Sequence, residues 1–371
     1  MKHNNHSAHN HKGHDGVPHN HQEKEKHDHG HGHSHHDHHK MMIEDFKKRF
    51  WVSSLLTFPV LLLSPMIQSW MGVNWTFNGD NYILFASIKR FIAVTIYFPL
   101  ALIFRIFTIQ VPYFFTERIG HLVVDLDSFL KEQYLLNGRY PSSVLLAPPN
   151  LVANSKLLEY WKEYFIVIQN PLLCRLLLPL CFHPLLRLED KYAATINASS
   201  SIYKISAEWG NQDPLLRVSD QDLVVGSETL LKMGLNKGDW FVCIHSRDGG
   251  YSPSDEHLHS FRNTPIEDFF PAIKFITSQG GKCIRMGDSS MKPAPKDVDL
   301  IDYATSPFKS ELMDIFLCSE CLFFLGSNSG IFELSTLFGT PVATVNMAPM
   351  SILPRGLYDL SLPMLYKDSK S

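Results

Sequence analysis

The sequence is poor in charge and lacks the motifs of the commonest nucleotide enzymes. Only 19% of its 371 residues are charged and the formal net charge is −3, so it has no basic excess of the kind that nucleic-acid binding requires. No Walker lysine motif and no G-x-G-x-x-G turn follows an expected strand, which argues against NTPase and dehydrogenase functions. Six cysteines are too sparse for the disulfide scaffold of a secreted protein and indicate a reducing compartment.

Histidine, by contrast, is concentrated at the amino terminus. Residues 1–40 hold 15 of the 20 histidines and almost nothing apolar to bury, which predicts a disordered tail. Imidazoles at this density bind Cu(II), Ni(II) or Zn(II) with little selectivity. The candidate metal ligands are His27, His29, His31, His33, His35, His36, His38 and His39. An expression tag is the alternative origin, but here His alternates with Asp, Gly, Asn and Ser.

Residues 41–105 contain two apolar runs that predict one or two transmembrane helices. Phe50–Trp70 is uncharged over 21 residues, enough for a helix to cross about 30 Å of hydrocarbon. The basic Lys47–Arg49 before it places the amino terminus in the cytoplasm by the positive-inside rule. Phe91–Phe104 is either a second span or an interfacial helix, and a hairpin of two spans would return the rest of the chain to the cytoplasm.

Beyond residue 105 the chain has the pattern of an α/β protein. Apolar segments of strand length alternate with helical segments, most regularly after residue 223, which predicts a parallel sheet with helices on both faces. A first domain is expected over residues 106–222 and a second over 223–371. Strands are expected at Ile106–Tyr113, Val144–Ala147, Trp240–His245, Cys283–Met286, Leu300–Ala304, Cys321–Leu325 and Pro341–Val345.

Polar residues follow several of these strands, at the sheet edge where open α/β proteins bind ligands. Arginines there match a diphosphate, and small loop residues let a backbone approach a phosphate. Glu333, about one turn into the next helix, would accept hydrogen bonds from a ribose diol. A tight strand–helix turn without a ligand is the alternative for the Gly–Ser loop. The candidates for donor binding are His245, Arg247, Arg285, Asp288, Ser327, Asn328, Ser329, Gly330 and Glu333.

Two further pairs of residues resemble metal ligands but are expected to have structural roles. Cys318 and Cys321 have the spacing of metal ligands, but a structural zinc site usually needs a second pair, and both lie at an apolar helix–strand junction. Asp125 and Asp127 match the paired aspartates that hold manganese in some sugar-transfer enzymes. They lie in a helical stretch, so a solvated helix face is expected.

Several short stretches between residues 87 and 371 form a set, namely Arg118–His121, His245–Tyr251, Arg262–Asn263, Ile284–Asp288, Met291–Pro293, Asp302–Tyr303, Met313–Cys318 and Gly326–Gly330. This set resembles a bacterial family of glycosyltransferases. The resemblance implies two Rossmann-like domains of the GT-B type, the first for the acceptor and the second for a nucleotide-diphosphate sugar, with no required cofactor. The His-x-Arg element ending at Arg247 is similar to that of O-fucosyltransferase-type enzymes, which implies that Arg247 holds the donor diphosphate. The transfer also needs a general base, and His121 with Asp248 behind it is the expected pair.

The first 86 residues resemble a different family. The His-rich tail, Met42–Trp51 and Leu61–Ile67 are similar to the amino terminus of a copper-exporting P-type ATPase. Neither an Asp-Lys-Thr-Gly-Thr phosphorylation loop nor a Cys-Pro-Cys sequence occurs, so a pump activity is excluded. The chain therefore has the pattern of a fusion.

Three functions follow from these observations. The first is a glycosyltransferase anchored in the bacterial inner membrane, with its catalytic part in the cytoplasm and a glycan or lipid-linked acceptor. The second is a metal-binding membrane protein derived from a truncated copper ATPase. The third is a nucleotide-binding module without catalysis.

Membrane attachment through Phe50–Trp70 gives a direct prediction. Because the segment is uncharged and long enough to span, the full chain should stay with the membrane pellet during alkaline carbonate extraction. A variant carrying Leu61→Arg and Leu62→Arg should be released, because a charge at the bilayer centre is costly. Release of the unchanged chain into the soluble fraction would contradict the prediction.

Overall fold

The computed structural model describes residues 80–186, 198–250, 256–348 and 355–365, without the side chains of 80–91 and 198–200. The chain divides into two units after Phe85, and the description below concerns the unit Ala86–Ser371. The predicted disordered tail and the predicted span Phe50–Trp70 lie outside the described residues. Within those residues, no helix is both long and apolar enough to cross a membrane, including the one that contains Phe91–Phe104.

The described elements alternate between helices and strands. The helices are α1 (Asp80–Ile106), α2 (Ile119–Asn137), α3 (Ser155–Trp161), α4 (Pro171–Leu177), α5 (Ala198–Trp209), α6 (Asp220–Lys232), α7 (Glu256–His259), α8 (Phe270–Ser278), α9 (Glu311–Glu320) and α10 (Phe332–Leu337). The strands are β1 (Ser143–Leu146), β2 (Phe165–Ile168), β3 (Phe241–His245), β4 (Lys282–Arg285), β5 (Phe324–Gly326), β6 (Val342–Met347) and β7 (Leu360–Pro363).

The larger sheet is entirely parallel and has the order β4-β3-β5-β6-β7. This confirms the predicted α/β class. An isolated parallel bridge between Ile284 and Ile301 extends the sheet beyond β4. Strand order therefore reverses between β3 and β5, where the register sets His245 opposite Gly326. Such a reversal is the place where open parallel sheets bind ligands.

The smaller sheet consists of β1 and β2 in parallel, with Gln110 bridging to Ser143 beside it. In the described part of the chain, the first predicted Rossmann-like domain is thus smaller than expected. A strand at Ile106–Tyr113 is wrong, because α1 continues to Ile106 and Thr108 then takes a positive φ of 53°. Leu300–Ala304 is likewise reduced to a bridge at Ile301, and a 3-10 turn begins at Tyr303.

A single apolar core joins the residues on either side of the predicted domain boundary. Leu122, Leu126 and Phe129 on one face of α2 belong to the same buried cluster as Phe324 and Phe332 of the second lobe. The boundary predicted between residues 222 and 223 falls inside α6. We therefore describe the unit as two lobes that share one core.

Glycine lets the two lobes come close at the start of α2. A Cβ atom built on Gly120 would lie 3.2 Å from the Cα of Gly330, and one built on Gly330 would lie 3.0 Å from the Gly120 nitrogen. Real Cβ atoms rarely make contacts that short, so backbone meets backbone here. This contact sets the first turn of α2 against the loop that follows β5.

A buried charge network crosses the same interface. Arg355 Nη2 lies 2.9 Å from Glu333 Oε2, and Arg355 Nη1 lies 3.7 Å from Asp127 Oδ2, which also binds Lys131 at 2.8 Å. Burial alone would lower the pKa of Arg355, but the Glu333 and Asp127 carboxylates raise it. Burial raises the pKa of Glu333, and Arg355 opposes that change. Each buried charge therefore depends on its partner.

The network predicts a large loss of stability on removing its central cation. Arg355→Leu leaves two buried carboxylates without that partner, which should cost about 3–5 kcal/mol in the free energy of unfolding. Urea denaturation measures it. The matched control is Arg217→Leu, which breaks an exposed ion pair with Asp213 at 2.8 Å and should cost less than about 1 kcal/mol. Equal losses for the two variants would contradict the account of the interface.

Candidate functional site

The loops after β3 and β5 are bound to each other at the reversal point of the sheet. The Arg247 amide donates to Ser327 Oγ at 2.9 Å, and the Ser327 amide donates to the His245 carbonyl at 3.0 Å. Ser327 is fully buried. Its amide is thus already used by the protein, which leaves Ser329 and Gly330, both partly exposed, as the part of the loop available to a ligand.

The Arg247 guanidinium is held by residues from the segment after β3. Its Nη1 atom donates to the His259 carbonyl at 3.2 Å and to the Asn263 side-chain oxygen. Glu256 lies 3.7 Å from the same nitrogen, and Asn263 donates to its other carboxylate oxygen. The carboxylate beside the Arg247 guanidinium is therefore that of Glu256, and not that of the adjacent residue Asp248.

Arg262 is the strongest positive feature of the site. Its Nη2 atom donates to the Asn328 carbonyl at 3.1 Å and to the Asn328 side-chain oxygen at 2.8 Å. Both acceptors are neutral, and among the described residues Arg262 forms no ion pair. Burial and the nearby guanidinium groups of Arg247 and Arg118 lower the pKa of Arg262 to about 10. Three arginines thus concentrate positive charge beside the loop after β5.

Asn328 holds Arg262 in this position. Asn328 is fully buried, and its Nδ2 atom donates to the Ala348 carbonyl at 2.6 Å. That bond fixes which way the amide faces and directs its oxygen at Arg262. Asn328 is therefore a positioning residue that acts through Arg262. Arg262 was not among the predicted site residues, because a loop residue 17 positions after His245 carries no periodic signal.

His245 is a neutral donor or acceptor at the end of β3. Burial, followed by the charges of Arg285, Arg247 and Lys309, lowers the pKa of His245 to about 3. Its Nδ1 atom is buried and has no hydrogen-bond partner in the part of the chain that the structure describes. An unpaired buried polar atom is costly, so this nitrogen is a candidate for contact with a ligand.

His121 follows Gly120 in the first turn of α2, where Gly120 contacts Gly330 of the same loop. Its Nδ1 atom lies 3.1 Å from Asp125 Oδ2, and the Phe115 ring packs edge to face against it at 5.4 Å between centroids. The hydrogen bond to Asp125 raises the pKa of His121, and burial opposes it. The side chain remains 42% exposed. A histidine held by a carboxylate through one nitrogen has its other nitrogen available for proton transfer.

The expected partner of His121 was Asp248, and the structure corrects this. Asp248 Oδ1 instead accepts the Gly250 amide at 3.0 Å. The solvated face expected for Asp125 and Asp127 is also wrong. Asp125 binds His121, and Asp127 is 1% exposed within the buried charge network.

Three predicted donor-binding residues have structural partners. Arg285 is buried, donates to the Lys292 carbonyl at 2.8 Å and pairs with Asp302 at 3.2 Å, so it organises the loop after β4. Asp288 accepts the Ser290 amide at 2.9 Å in its own turn. Glu333 is buried and pairs with Arg355 at 2.9 Å, so its carboxylate already has a charged partner. Arg285 and Glu333 are therefore removed from the candidate site.

Metal-binding geometry is not found in the described ranges. No group of three or more His, Cys, Asp or Glu side chains there is placed to hold a metal ion. Cys318 and Cys321 are free and buried, in agreement with a core position. The histidines of the tail, from His27 to His39, lie outside the described residues.

Comparisons with known proteins give two separate likenesses. No family description matches the chain. Over 46 residues, or 12% of the chain, it is 61% identical to the copper-exporting P-type ATPase B of Archaeoglobus fulgidus, and it spans 7% of that protein's length. This supports the resemblance inferred for the amino-terminal region.

The second likeness is to solved glycosyltransferases. ADP-heptose lipopolysaccharide heptosyltransferase II of E. coli superposes with a TM-score of 0.41 at 14% identity, over 68% of this chain and 89% of that one. A family 9 glycosyl transferase of Veillonella parvula gives 0.40 at 14% identity, over 69% and 85%. E. coli heptosyltransferase WaaC with ADP-2-deoxy-2-fluoro heptose gives 0.38 at 12%, over 68% and 92%. The superpositions are loose, so the chemistry of this chain is argued from its own residues.

The His121–Asp125 pair predicts a measurable change in titration. Asp125→Asn removes the carboxylate that stabilises the protonated imidazole, so the pKa of His121 should fall. Histidine-selective NMR titration measures it, with the resonance assigned by its loss in His121→Gln. Asp248→Asn is the control and should leave the resonance unmoved. A shift caused by Asp248→Asn and not by Asp125→Asn would contradict the pairing.

Proposed function

We propose that the unit Ala86–Ser371 is a glycosyltransferase that uses a nucleotide-diphosphate sugar. The observation that carries the proposal is the Arg262 guanidinium, which donates to the loop after β5 at the reversal point of the parallel sheet and has only neutral partners among the described residues. A partly buried cation beside two other arginines favours an anionic ligand. The glycosyltransferase resemblance of residues 87–371 supports a sugar nucleotide as that ligand.

Arg247 and Arg262 would hold the diphosphate, together with the loop residues Ser329 and Gly330. The guanidinium groups approach the loop from the β3 side, and Arg118, the residue before α2, contributes charge from the other lobe. His245 Nδ1, buried and unpaired, would meet a polar group of the donor. Displacing the Glu256 carboxylate at 3.7 Å from Arg247 would give the diphosphate a second charged contact.

The same arginines would accelerate the transfer step. The bond between the anomeric carbon and the diphosphate oxygen breaks, and its electron pair stays on the leaving nucleoside diphosphate. Positive groups fixed beside that oxygen stabilise the growing negative charge without reorganising during the reaction. Arg247 and Arg262 therefore supply charge stabilisation, and the proposed mechanism needs no metal ion.

His121 would act as the general base. Its nitrogen opposite Nδ1 takes the proton of the acceptor hydroxyl while the acceptor oxygen bonds to the anomeric carbon. Asp125 orients the ring and stabilises the imidazolium that forms. The neutral form is required, so activity should rise with pH through the pKa of His121, which lies above its usual value.

The proposal includes attachment to the bacterial inner membrane with the transferase in the cytoplasm. Its support is the uncharged segment Phe50–Trp70 behind Lys47–Arg49. A glycan or lipid-linked acceptor is part of the same proposal.

A second candidate function is metal capture by the tail. Its support is the 46-residue identity with a copper-exporting ATPase together with the histidines of residues 1–40. Deletion of residues 1–40 distinguishes the two candidates. It should abolish copper binding and leave nucleotide binding unchanged.

The proposed donor site predicts that replacing one of its arginines weakens binding of the diphosphate and not of the nucleoside. Arg262→Gln removes the charge and keeps a polar side chain, so affinity for a nucleoside diphosphate should fall by roughly 1.5–3 kcal/mol, or about 10- to 150-fold. Arg247→Gln should act similarly. Affinity for the corresponding nucleoside should hardly change. Isothermal titration with ADP, UDP and GDP against adenosine, uridine and guanosine, with and without EDTA, measures these effects.

Arg217→Gln is the matched control, because Arg217 lies in an exposed pair with Asp213. It should bind as the unchanged protein does. Failure of the unchanged protein to bind any of the three diphosphates would contradict the proposed function. Equal weakening of nucleoside and nucleoside diphosphate by Arg262→Gln would contradict the phosphate role.

A further inference from the structure

The first lobe carries an apolar surface that its own core does not use. The inner stripe of α1 packs through Tyr97, Ala101 and Phe104 into a cluster that also holds Leu180 and Leu186. Its outer stripe is apolar as well, with Ile96 66% exposed. A helix that is apolar on all sides is usually buried in a large core or in lipid.

The segment Pro171–Phe182 continues this surface beside α1. His183 Nε2 lies 3.1 Å from the Val94 carbonyl of α1, and Phe182 stacks at 5.5 Å on Tyr113. The two segments therefore pack together and expose neighbouring apolar faces. We call this surface the apolar face; its most exposed side chains are Ile96, Ile106, Phe107, Tyr113, Leu172 and Phe182.

The described charged side chains on the two segments that form the apolar face have one sign. No Asp or Glu occurs between residues 92 and 116 or between 164 and 186, and the charged side chains there are Arg105 and Arg175. Arg105 and Arg175 are exposed, and neither forms an ion pair within the described residues. A basic rim around exposed apolar side chains matches an anionic bilayer, because lysines and arginines bind acidic headgroups while apolar side chains enter the interface.

We infer that the apolar face rests on an anionic lipid surface, separately from any anchor formed by Phe50–Trp70. The occupant is the headgroup and upper acyl region of the bilayer. The inner stripe of α1 is bound to the lobe, so only the outer stripe is available to enter the lipid. Tyr113, with an apolar ring and a polar hydroxyl, suits that boundary.

This arrangement also indicates where the acceptor comes from, an extension that rests on the proposed function. Tyr113 belongs to the apolar face, and Phe115, two residues later, packs on the ring of His121. Two residues span at most about 7 Å, so the apolar face borders the candidate base. The acceptor class that fits is a saccharide carried on a lipid.

Site-specific photocross-linking tests the inference in the full chain. p-Benzoylphenylalanine is placed at Phe107 or Leu172, and the protein is reconstituted into vesicles of phosphatidylglycerol or of phosphatidylcholine. The matched control position is Phe275 on α8, which is exposed to the same 67% as Phe107. Lipid adducts should form several-fold more at Phe107 and Leu172 than at Phe275, and more in phosphatidylglycerol.

Charge reversal supplies the second arm. Arg105→Glu with Arg175→Glu should lower the adduct yield at Phe107 several-fold in phosphatidylglycerol vesicles, because each basic residue near an anionic surface is worth roughly fivefold in affinity. Carbonate-resistant attachment should persist, since Phe50–Trp70 is unchanged.

Several outcomes would overturn the inference. These are equal lipid yields at Phe107 and Phe275, cross-links from Phe107 to a second copy of the chain, and cross-links to residues 1–85 of the same chain. Nucleotide binding is not involved in this assay. Failure of the donor-site proposal in the titration would therefore leave these yields unaffected, and the two failures are distinguishable.

Discussion

The contact of Gly120 with Gly330 determines where the rest of the candidate site lies. It brings the first turn of α2, which carries His121, against the loop after β5, which carries Asn328. Two turns further along α2, Asp127 joins the buried network of Arg355 and Glu333 across the same interface. The helix is thus fixed at two points. A side chain at either glycine would separate the proposed base from the proposed donor loop.

The arginines of this unit fall into two electrostatic classes, and the difference distinguishes a binding site from a structural ion pair. Arg285 and Arg355 are buried with carboxylates at 3.2 and 2.9 Å, so their charges are already compensated. Arg262 donates to neutral oxygens of Asn328 and lies near other guanidinium groups. Arg247 is intermediate, with Glu256 at 3.7 Å. A diphosphate should therefore bind most strongly beside the arginine whose charge is least compensated by carboxylates, which is Arg262.

Sequence periodicity predicted β3 to β6 of the larger sheet well, because each of these strands is apolar, short and bounded by turn residues, but it missed the mostly exposed β7. The strand ends and therefore the loops with His245, Arg247 and Ser327 followed directly from it. Periodicity does not reveal tertiary partners. Glu333 is paired with Arg355, which is 22 residues later. Arg285 is paired with Asp302, and a residue's type could not show that these charges were already compensated.

The first lobe was predicted less well for a related reason. The second half of α1 is almost entirely apolar and ends at Ile106, and the residues that follow it are apolar too. In a sequence, the segment Ile106–Tyr113 therefore cannot be distinguished from a buried strand. Asp248, the neighbour of Arg247 in its motif, was the wrong partner for His121. The correct partner, Asp125, lies four residues after His121 on the same helix. Local helix geometry would have found the correct pair.

The central claim is that one ligand site is built from both lobes, between the start of α2 and the loop after β5. Hydrogen–deuterium exchange of the full chain with and without a bound nucleoside diphosphate tests it most directly. The account predicts slower exchange in peptides covering Arg118–Leu122 and Gly326–Ile331 together, with Ser155–Trp161 unchanged as the internal control. Protection confined to one lobe, or found only outside both segments, would contradict it.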